Sequence, residues 1–166
     1  MKKILLGLLS VLMLVGCSSK ATSEQAVEPK LVLGMSLEDM KLKDQFEVPH
    51  AITQETKKIV FAFSKDVGHT CNDFFATKKD SYLQDNKSIF VADVSGAPSL
   101  IRSMFIMPGL KEFKHTILVI DDKDISAAYK PAQNQEKITV VYVDAMIIKD
   151  IKYLNSTLEL EKELQK

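Results

Sequence analysis

The side chains best suited to chemistry lie in one short stretch, Asp66 to Phe75, with the sequence DVGHTCNDFF. Its thiol, Cys71, follows a run typical of a buried strand and opens a run typical of a helix. A thiolate at the start of a helix is stabilised by exposed backbone N–H groups and the helix dipole, which lower its pKa. His69 adds a base or a positive charge, whereas Asp66 and Asp73 oppose thiolate formation.

The sequence leaves two interpretations of Cys71 open. It is a reactive nucleophile with His69 as its helper, or it is a buried structural residue, since free cysteine is among the most buried residue types. The pattern His69-x-Cys71 with Asp73 falls short of a metal site, which needs three or four ligands. His50 and His115 are distant in sequence and unpaired, so we expect neither a metal ion nor a cofactor.

Arg102 is the only arginine in the chain, and it follows the segment SGAPS at the predicted carboxyl end of a strand. Ligands bind at that edge of open parallel sheets, so Arg102 is a candidate for binding a carboxylate or phosphate. It is equally compatible with a surface charge that covers apolar neighbours. The carboxylates of Ile120 to Asp124 lack the glycine and distal glutamate of a calcium loop, and they predict a solvated turn.

The N-terminus, MKKILLGLLSVLMLVGCSSK, has the pattern of a signal peptide. Lys2 and Lys3 precede an apolar run, Ile4 to Val15, that is too short to span a bilayer. The residues Leu14 to Cys17 resemble the lipobox of bacterial lipoproteins, in which the cysteine thiol takes a diacylglycerol as a thioether. The alternative is a membrane anchor with a chance cysteine.

The lipoprotein resemblance implies a location and a domain plan. It implies that Cys17 carries the lipid anchor and that palmitate is one of the acyl chains of this anchor. Ser18 stands where inner-membrane lipoproteins have aspartate, which implies the outer membrane, facing the periplasm, in a host with two membranes. We therefore predict a signal peptide over 1–16, a lipidated flexible tether over 17–30 and one domain over 31–166.

Composition excludes several classes of protein. The predicted mature chain has 150 residues, enough for one domain with a full core, and carries 20 basic against 22 acidic side chains. No basic stripe is present, so we expect no nucleic-acid partner. Besides the predicted anchor the chain has one cysteine, which excludes a disulfide framework.

Apolar patterns predict the order of elements that must position these residues. Pro49 is expected to stop any regular element before the first central strand. The first predicted strand, Lys58 to Ser64, is followed by a loop at Asp66 to Cys71 and a helix capped by Cys71 or Asn72. A second strand at Ser88 to Ser95 leads to a helix ended by Pro108 and Gly109, and a third strand follows at His115 to Asp122. An irregular polar segment from Lys123 then precedes a hairpin linked by Asp144, Ala145 and Met146, and a last helix is capped by Asn155 or Ser156.

Strands joined by helices are parallel neighbours with right-handed crossovers. The pattern therefore predicts an α/β fold with a mixed sheet of about five or six strands, helices on both faces, and a C-terminal hairpin plus helix. The order resembles the thioredoxin-like fold. Thioredoxins and peroxiredoxins place the reactive cysteine after a central strand at the N-terminus of the next helix, and IVFAFSKDVGHTCNDFF is similar in placing Cys71 there.

The chain departs from both families in its motifs. Phe74 stands where thioredoxins have the second cysteine of C-x-x-C, and the proline of the peroxiredoxin pattern PxxxTxxC is missing. His115 stands where the resemblance predicts a cis-proline before a late strand.

Three functions are compatible with this sequence. The first is an envelope-anchored thioredoxin-like lipoprotein with a binding or accessory role toward an unknown envelope protein. The second is a single-cysteine peroxidase or thiol-exchange enzyme in which Cys71 is resolved by an external thiol. The third is a small-ligand binder at the sheet edge near Arg102.

Overall fold

A computed structural model describes residues 27–166, so the predicted signal peptide, Cys17 and most of the predicted tether lie outside the described residues. The described chain forms a mixed sheet in the order β2-β1-β5-β4-β3-β6-β7. Strands β3, β4 and β5 are parallel, and every other pair is antiparallel. The strands are β1 Lys41–Asp44, β2 Pro49–Ala51, β3 Lys58–Ala62, β4 Ser88–Asp93, β5 Leu118–Ile120, β6 Ile138–Asp144 and β7 Ile147–Leu154.

Helices cover both faces of the sheet, as the sequence predicts. Helices α1, α4 and α6 share one buried cluster with inward residues of β3 and β4, whereas α5 and the segment before β1 pack on the other face. The helices are α1 Lys65–Ala76, α2 Tyr82–Asp85, α3 Ser99–Ile101, a π-helical turn Arg102–Ile106, α4 Met107–Leu110, α5 Lys123–Tyr129 and α6 Thr157–Leu164. We call the continuous stretch 99–110 the composite helix.

Strand β3 is an inner strand of the sheet and is buried along its whole length. All five of its residues are buried, and it has a parallel partner on one side and an antiparallel partner on the other. The ammonium group of Lys58 is buried as well, and it donates to the carbonyl oxygen of Leu164, 2.8 Å away at the end of α6. Burial lowers the pKa of Lys58.

Outside α1, the structure corrects four predicted elements. The sheet has seven strands, because β1 and β2 form a hairpin at its edge, in the segment where the sequence predicts that Pro49 stops any regular element. Proline has no backbone N–H to donate, and an edge strand tolerates this because it is paired on one side only. The strand predicted at His115 to Asp122 is only Leu118–Ile120. The polar segment from Lys123 contains α5, which begins because the Asp122 side chain accepts hydrogen bonds from two backbone N–H groups of its first turn.

The fourth correction concerns the composite helix, which continues through Pro108 to Leu110. The preceding turn is π-helical, and the backbone N–H of Met107 reaches the carbonyl oxygen of Arg102, five residues back. Such a turn changes the hydrogen-bond register of the helix, and helices commonly adopt one where a regular ladder is interrupted. Pro108 lies in the first turn of α4, directly after this change of register, where proline is tolerated.

The C-terminal hairpin and helix follow the prediction. Ala145 and Met146 have φ values of 47° and 64°, the left-handed pair that closes a two-residue hairpin between β6 and β7. Ser156 caps α6 by accepting from the N–H of Glu159. Near the end of α6, the Glu163 carboxylate accepts from the Tyr142 hydroxyl and pairs with Lys152 and Lys166, and these hydrogen bonds hold its pKa at about 2.

The last helix offers a matched test of the core. Leu160 is completely buried, whereas Leu158 on the same helix is 62% exposed. We expect Leu160→Ala to lower the free energy of unfolding by about 2–5 kcal/mol, because it leaves a cavity under α6. Leu158→Ala is expected to change it by less than about 0.5 kcal/mol. Urea unfolding followed by circular dichroism measures both, and equal effects of the two variants would contradict this packing.

Candidate functional site

Helix α1 begins six residues before Cys71, not at it as the sequence predicts. Ser64 is the N-cap, and its hydroxyl oxygen accepts from the N–H of Val67. The segment expected to be a loop, including Gly68, is therefore the first half of a helix. Cys71 lies in the middle of α1, where its sulfur has no access to the free N–H groups of a helix N-terminus.

The Cys71 side chain faces the sheet. Val67, Cys71 and Phe75 are spaced four residues apart, so they form one stripe, and all three belong to the buried cluster between α1, β3 and β4. No part of Cys71 is exposed to solvent. Burial raises the pKa of the thiol to about 12, so that it is a neutral thiol at physiological pH.

His69 lies on the other side of α1. Residues two apart on a helix point in nearly opposite directions, and His69 is exposed while Cys71 is buried. The imidazole cannot take a proton from a sulfur on the far side of its own helix. The structure therefore separates the two residues that the sequence places together as nucleophile and helper.

Arg102 lies on the π-helical turn near the carboxyl end of β4, at the sheet edge that the sequence predicts. Its Nη1 atom donates to the carbonyl oxygens of Ser95 and Ala97, at 3.2 and 2.6 Å. These bonds hold the loop between β4 and the composite helix. Part of the guanidinium thus satisfies backbone carbonyls instead of facing an open ligand site.

A buried carboxylate at the same edge has no counterpart among the sequence predictions. The side chain of Asp93 is 2% exposed. It accepts from the backbone N–H of Ser95 and from the hydroxyl of Ser126, and the Lys130 ammonium lies 3.7 Å away. Asp93 therefore ties the end of β4 to α5. Its position as the last residue of an apolar strand is the only sequence feature that marks it.

Asn72 and His115 form a second buried polar pair, next to Cys71 on α1. The His115 ring donates from Nε2 to the Asn72 amide oxygen at 3.0 Å. Gln45 accepts from the N–H of Ile117 and donates to the carbonyl oxygen of His115. Burial lowers the pKa of His115 to about 4, so the ring is neutral near pH 7. The prediction that His115 is unpaired is wrong.

His50 is paired as well, which the sequence did not predict. Its Nε2 atom lies 2.9 Å from a carboxylate oxygen of Asp44. The other oxygen of Asp44 accepts from the backbone N–H groups of Phe46 and Val48. Burial of Asp44 acts to raise its pKa, but the hydrogen bonds from His50 and the backbone outweigh it, and the pKa lies below its usual value. The pair closes the turn between β1 and β2.

A groove of about 480 Å³ lies at the opposite end of the sheet, where β3 and β4 begin. Its charged side chains are of both signs, Glu55 and Asp80 with Lys87, so the groove favours no one class of ion. Among residues 27–166 no three His, Cys, Asp or Glu side chains come together as metal ligands. No helix in this part of the chain is long and apolar enough to cross a membrane.

Comparison with solved structures identifies the fold of the chain. A peroxiredoxin-like protein from Aquifex aeolicus matches with a TM-score of 0.51 and 9% identity, covering 84% of this chain and 89% of that chain. The pneumococcal exposed lipoprotein thioredoxin from Streptococcus pneumoniae strain TIGR4 matches with a TM-score of 0.51 and 12% identity over 76% and 97%. The chain has a thioredoxin-like fold. A mitochondrial 2-Cys peroxiredoxin from Plasmodium falciparum matches with a TM-score of 0.50 and 9% identity over 81% and 92%.

No protein-family model and no curated protein sequence matches the chain. At these identities the structural matches carry the fold alone, because one fold hosts many functions. The arrangement of side chains therefore has to decide what the thioredoxin-like domain can do. The N-terminus of α1 is formed by Ser64, Lys65 and Asp66, none of which carries a thiol, and the Cys71 thiol lies in the core.

The buried His115 predicts a pH dependence of stability. Its pKa is about 4 in the folded chain against 6.5 when unperturbed. Between these values the unfolded chain binds the extra proton, so the free energy of unfolding falls as pH falls from 6.5 to 4, by up to about 3 kcal/mol. We expect His115→Gln to remove most of this slope in urea unfolding, and His69→Gln, which changes an exposed ring, serves as the control substitution. Parallel slopes for the native chain and His115→Gln would contradict the assignment.

Proposed function

We propose that the chain is an envelope-anchored lipoprotein whose thioredoxin-like domain has no thiol chemistry and acts by binding. The observation that carries the proposal is the burial of Cys71 in the middle of α1. A nucleophilic thiol must meet its substrate and lose its proton near neutral pH. The Cys71 sulfur has no exposed surface, and burial holds its pKa at about 12.

The N-terminal sequence supports the anchoring half of the proposal. The positive residues, the short apolar run and the sequence LVGC resemble a lipoprotein signal peptide. In this proposal Cys17 carries the lipid, residues 17–30 link it to the domain, and Ser18 directs the protein to the outer membrane, facing the periplasm. One structural match is itself described as an exposed lipoprotein thioredoxin, so the fold is compatible with such an anchor.

The two other functions gain less support from the geometry. A peroxidase or thiol-exchange enzyme using Cys71 would need His69 beside the sulfur, and the two side chains lie on opposite sides of α1. A small-ligand site at Arg102 would need a free guanidinium, and Nη1 is occupied by two carbonyl oxygens. An accessory role through the domain surface requires neither residue.

A relocation experiment tests the absence of thiol chemistry. We expect the chain with Cys17→Ser to consume peroxide and exchange disulfides no faster than the same chain with Cys71→Ala. In the Cys71→Ala background, Ser64→Cys places a thiol at the N-cap of α1, and we expect its pKa to fall below about 8.5. Thr77→Cys, at the C-cap of the same helix, is the matched control and should titrate above that value.

The comparison with Cys71→Ala decides the outcome. A peroxide or disulfide-exchange rate that depends on Cys71 would contradict the proposal, whatever the pKa of the relocated thiols. If Ser64→Cys titrated no lower than Thr77→Cys, the helix N-terminus would not activate thiols in this chain, and the position of Cys71 would not explain the missing chemistry.

Lipidation is tested separately on the full chain expressed in a bacterium with two membranes. We expect metabolically supplied palmitate to label the protein and the protein to fractionate with the outer membrane. Mass spectrometry should show that the N-terminal peptide of the mature protein begins at Cys17 and that Cys17 carries a diacylglycerol group. Cys17→Ser should lose the label and leave the precursor uncleaved. Retention of the label by Cys17→Ser would contradict the anchor assignment.

A further inference from the structure

The composite helix 99–110 is apolar on two faces. Ile106, Met107 and Leu110 pack into the buried cluster that lies between α1 and β4. On the outside, Leu100, Ile101, Met104 and Phe105 are exposed by 64, 42, 57 and 64%. We call these four outer residues the apolar patch. A helix that is apolar all round is normally covered on all sides, so the patch is a surface that lacks its covering.

The charged residues on the composite helix and in the four positions after it are mostly positive. Arg102, Lys111 and Lys114 lie in or just after the composite helix, and Glu112 is the only acidic residue between 99 and 114. None of the three basic side chains forms an ion pair within the described residues 27–166. The domain as a whole carries an excess of acidic residues. The apolar patch and its positive surroundings therefore fit an apolar layer beneath negatively charged groups.

The size of the patch argues against a second copy of the chain as its covering. Four side chains that are each about half exposed offer roughly 400 Å², about half of the area that one partner contributes to a stable protein interface. A surface of this size binds weakly by itself. It becomes effective when something else already holds the domain close to its target.

The proposed lipid on Cys17 would hold the domain close to a bilayer. Lys30 is held to the domain, because its backbone N–H donates to the carbonyl oxygen of Ala128 at 2.7 Å. The extended chain from residue 17 to residue 30 spans at most about 45 Å. A domain of this size has a diameter of roughly 35–40 Å, so the extended tether is about as long as the domain is wide and keeps the domain close to the bilayer.

We propose that the apolar patch docks on the surface of a phospholipid bilayer that carries anionic headgroups. Leu100, Met104 and Phe105 enter the boundary between headgroups and acyl chains, while Lys111 and Lys114 meet the phosphates. The inference rests on the proposed function, because the lipid anchor supplies the proximity that a small patch requires. Docking fixes the side of the thioredoxin-like domain that faces the membrane and leaves the opposite side free for a partner.

The absence of tryptophan from the chain gives a clean reporter. The mature chain from residue 17, with Cys17→Ser so that no lipid holds it, is prepared with Phe105→Trp. Vesicles are supplied up to millimolar lipid, so that the weak binding of the unanchored patch is measured. A matched control has Phe46→Trp, which replaces an aromatic residue that is 54% exposed at the β1–β2 turn, outside the patch. Vesicles of phosphatidylglycerol and phosphatidylethanolamine are compared with vesicles of phosphatidylcholine, each with and without bromine on the acyl chains.

With anionic vesicles we expect the emission of Phe105→Trp to move to shorter wavelength and to be quenched by brominated acyl chains. The emission of Phe46→Trp should not change, phosphatidylcholine should have little effect, and added salt should weaken the response. In a sedimentation assay on the tryptophan-free chain, Leu100→Ser should lower vesicle binding about tenfold, whereas Leu158→Ser should not.

Three results would overturn the docking proposal. The first is no response of Phe105→Trp to anionic vesicles, and the second is the same response from both tryptophan variants. The third is a shift of Phe105→Trp emission with protein concentration in the absence of vesicles, which would identify a second copy as the covering. These measurements use unlipidated protein, so they are independent of the palmitate experiment, and failure of the anchor assignment is distinguishable from failure of the docking surface.

Discussion

The packing of α1 against β3 and β4 is the constraint on which the rest of the domain depends. Val67, Cys71 and Phe75 form the buried stripe of this helix, and the parallel strands beneath it contribute Val60 and Phe90 to the same cluster. Because the stripe repeats every four residues, shifting α1 by one residue would turn polar side chains into the core. The position of the helix along the sheet, and hence of every group at its ends, follows from this contact.

The same contact buries the thiol of Cys71. The fold provides a helix N-terminus at the carboxyl edge of a parallel sheet, where exposed N–H groups can stabilise an anion. In this chain the helix begins directly after β3, at Ser64 and Lys65, so the cysteine six residues further along belongs to the second turn and faces inward. Two buried polar groups lie near α1 and β4. His115 is hydrogen-bonded to Asn72 of α1, and Asp93 is hydrogen-bonded to its partners at the edge of the sheet.

The sequence predicts the elements whose pattern is strong. The apolar runs of β3 and β4 and the alternation in β6 and β7 identify the sheet, and the cap at Ser156 identifies α6. The sequence predicts the start of α1 too late, because Gly68 and its polar neighbours suggest a loop. The combination of Ser64 as a cap with the four-residue spacing from Val67 was the feature that could have located it.

Other features depend on contacts that one sequence does not encode locally. His115 and Asn72 are 43 residues apart, so only the folded sheet brings them together. The edge strands β1 and β2 are short, and Pro49 in one of them argues against a strand unless its edge position is known. The lipid anchor at Cys17 lies outside the described residues and stays a prediction, whereas the thioredoxin-like fold is confirmed by comparison with solved structures.

The most direct test of the account is the rate at which iodoacetamide alkylates Cys71 in the mature chain with Cys17→Ser, measured from pH 7 to 10 and across a urea series. A chain with Cys71→Ala and His69→Cys provides the exposed-thiol control on the same helix. The account predicts that Cys71 reacts only through unfolding, so that its rate rises with urea in proportion to the unfolded fraction, while the control reacts at once. Rapid alkylation of Cys71 in the native chain, with a midpoint at or below about pH 8.5, would contradict it.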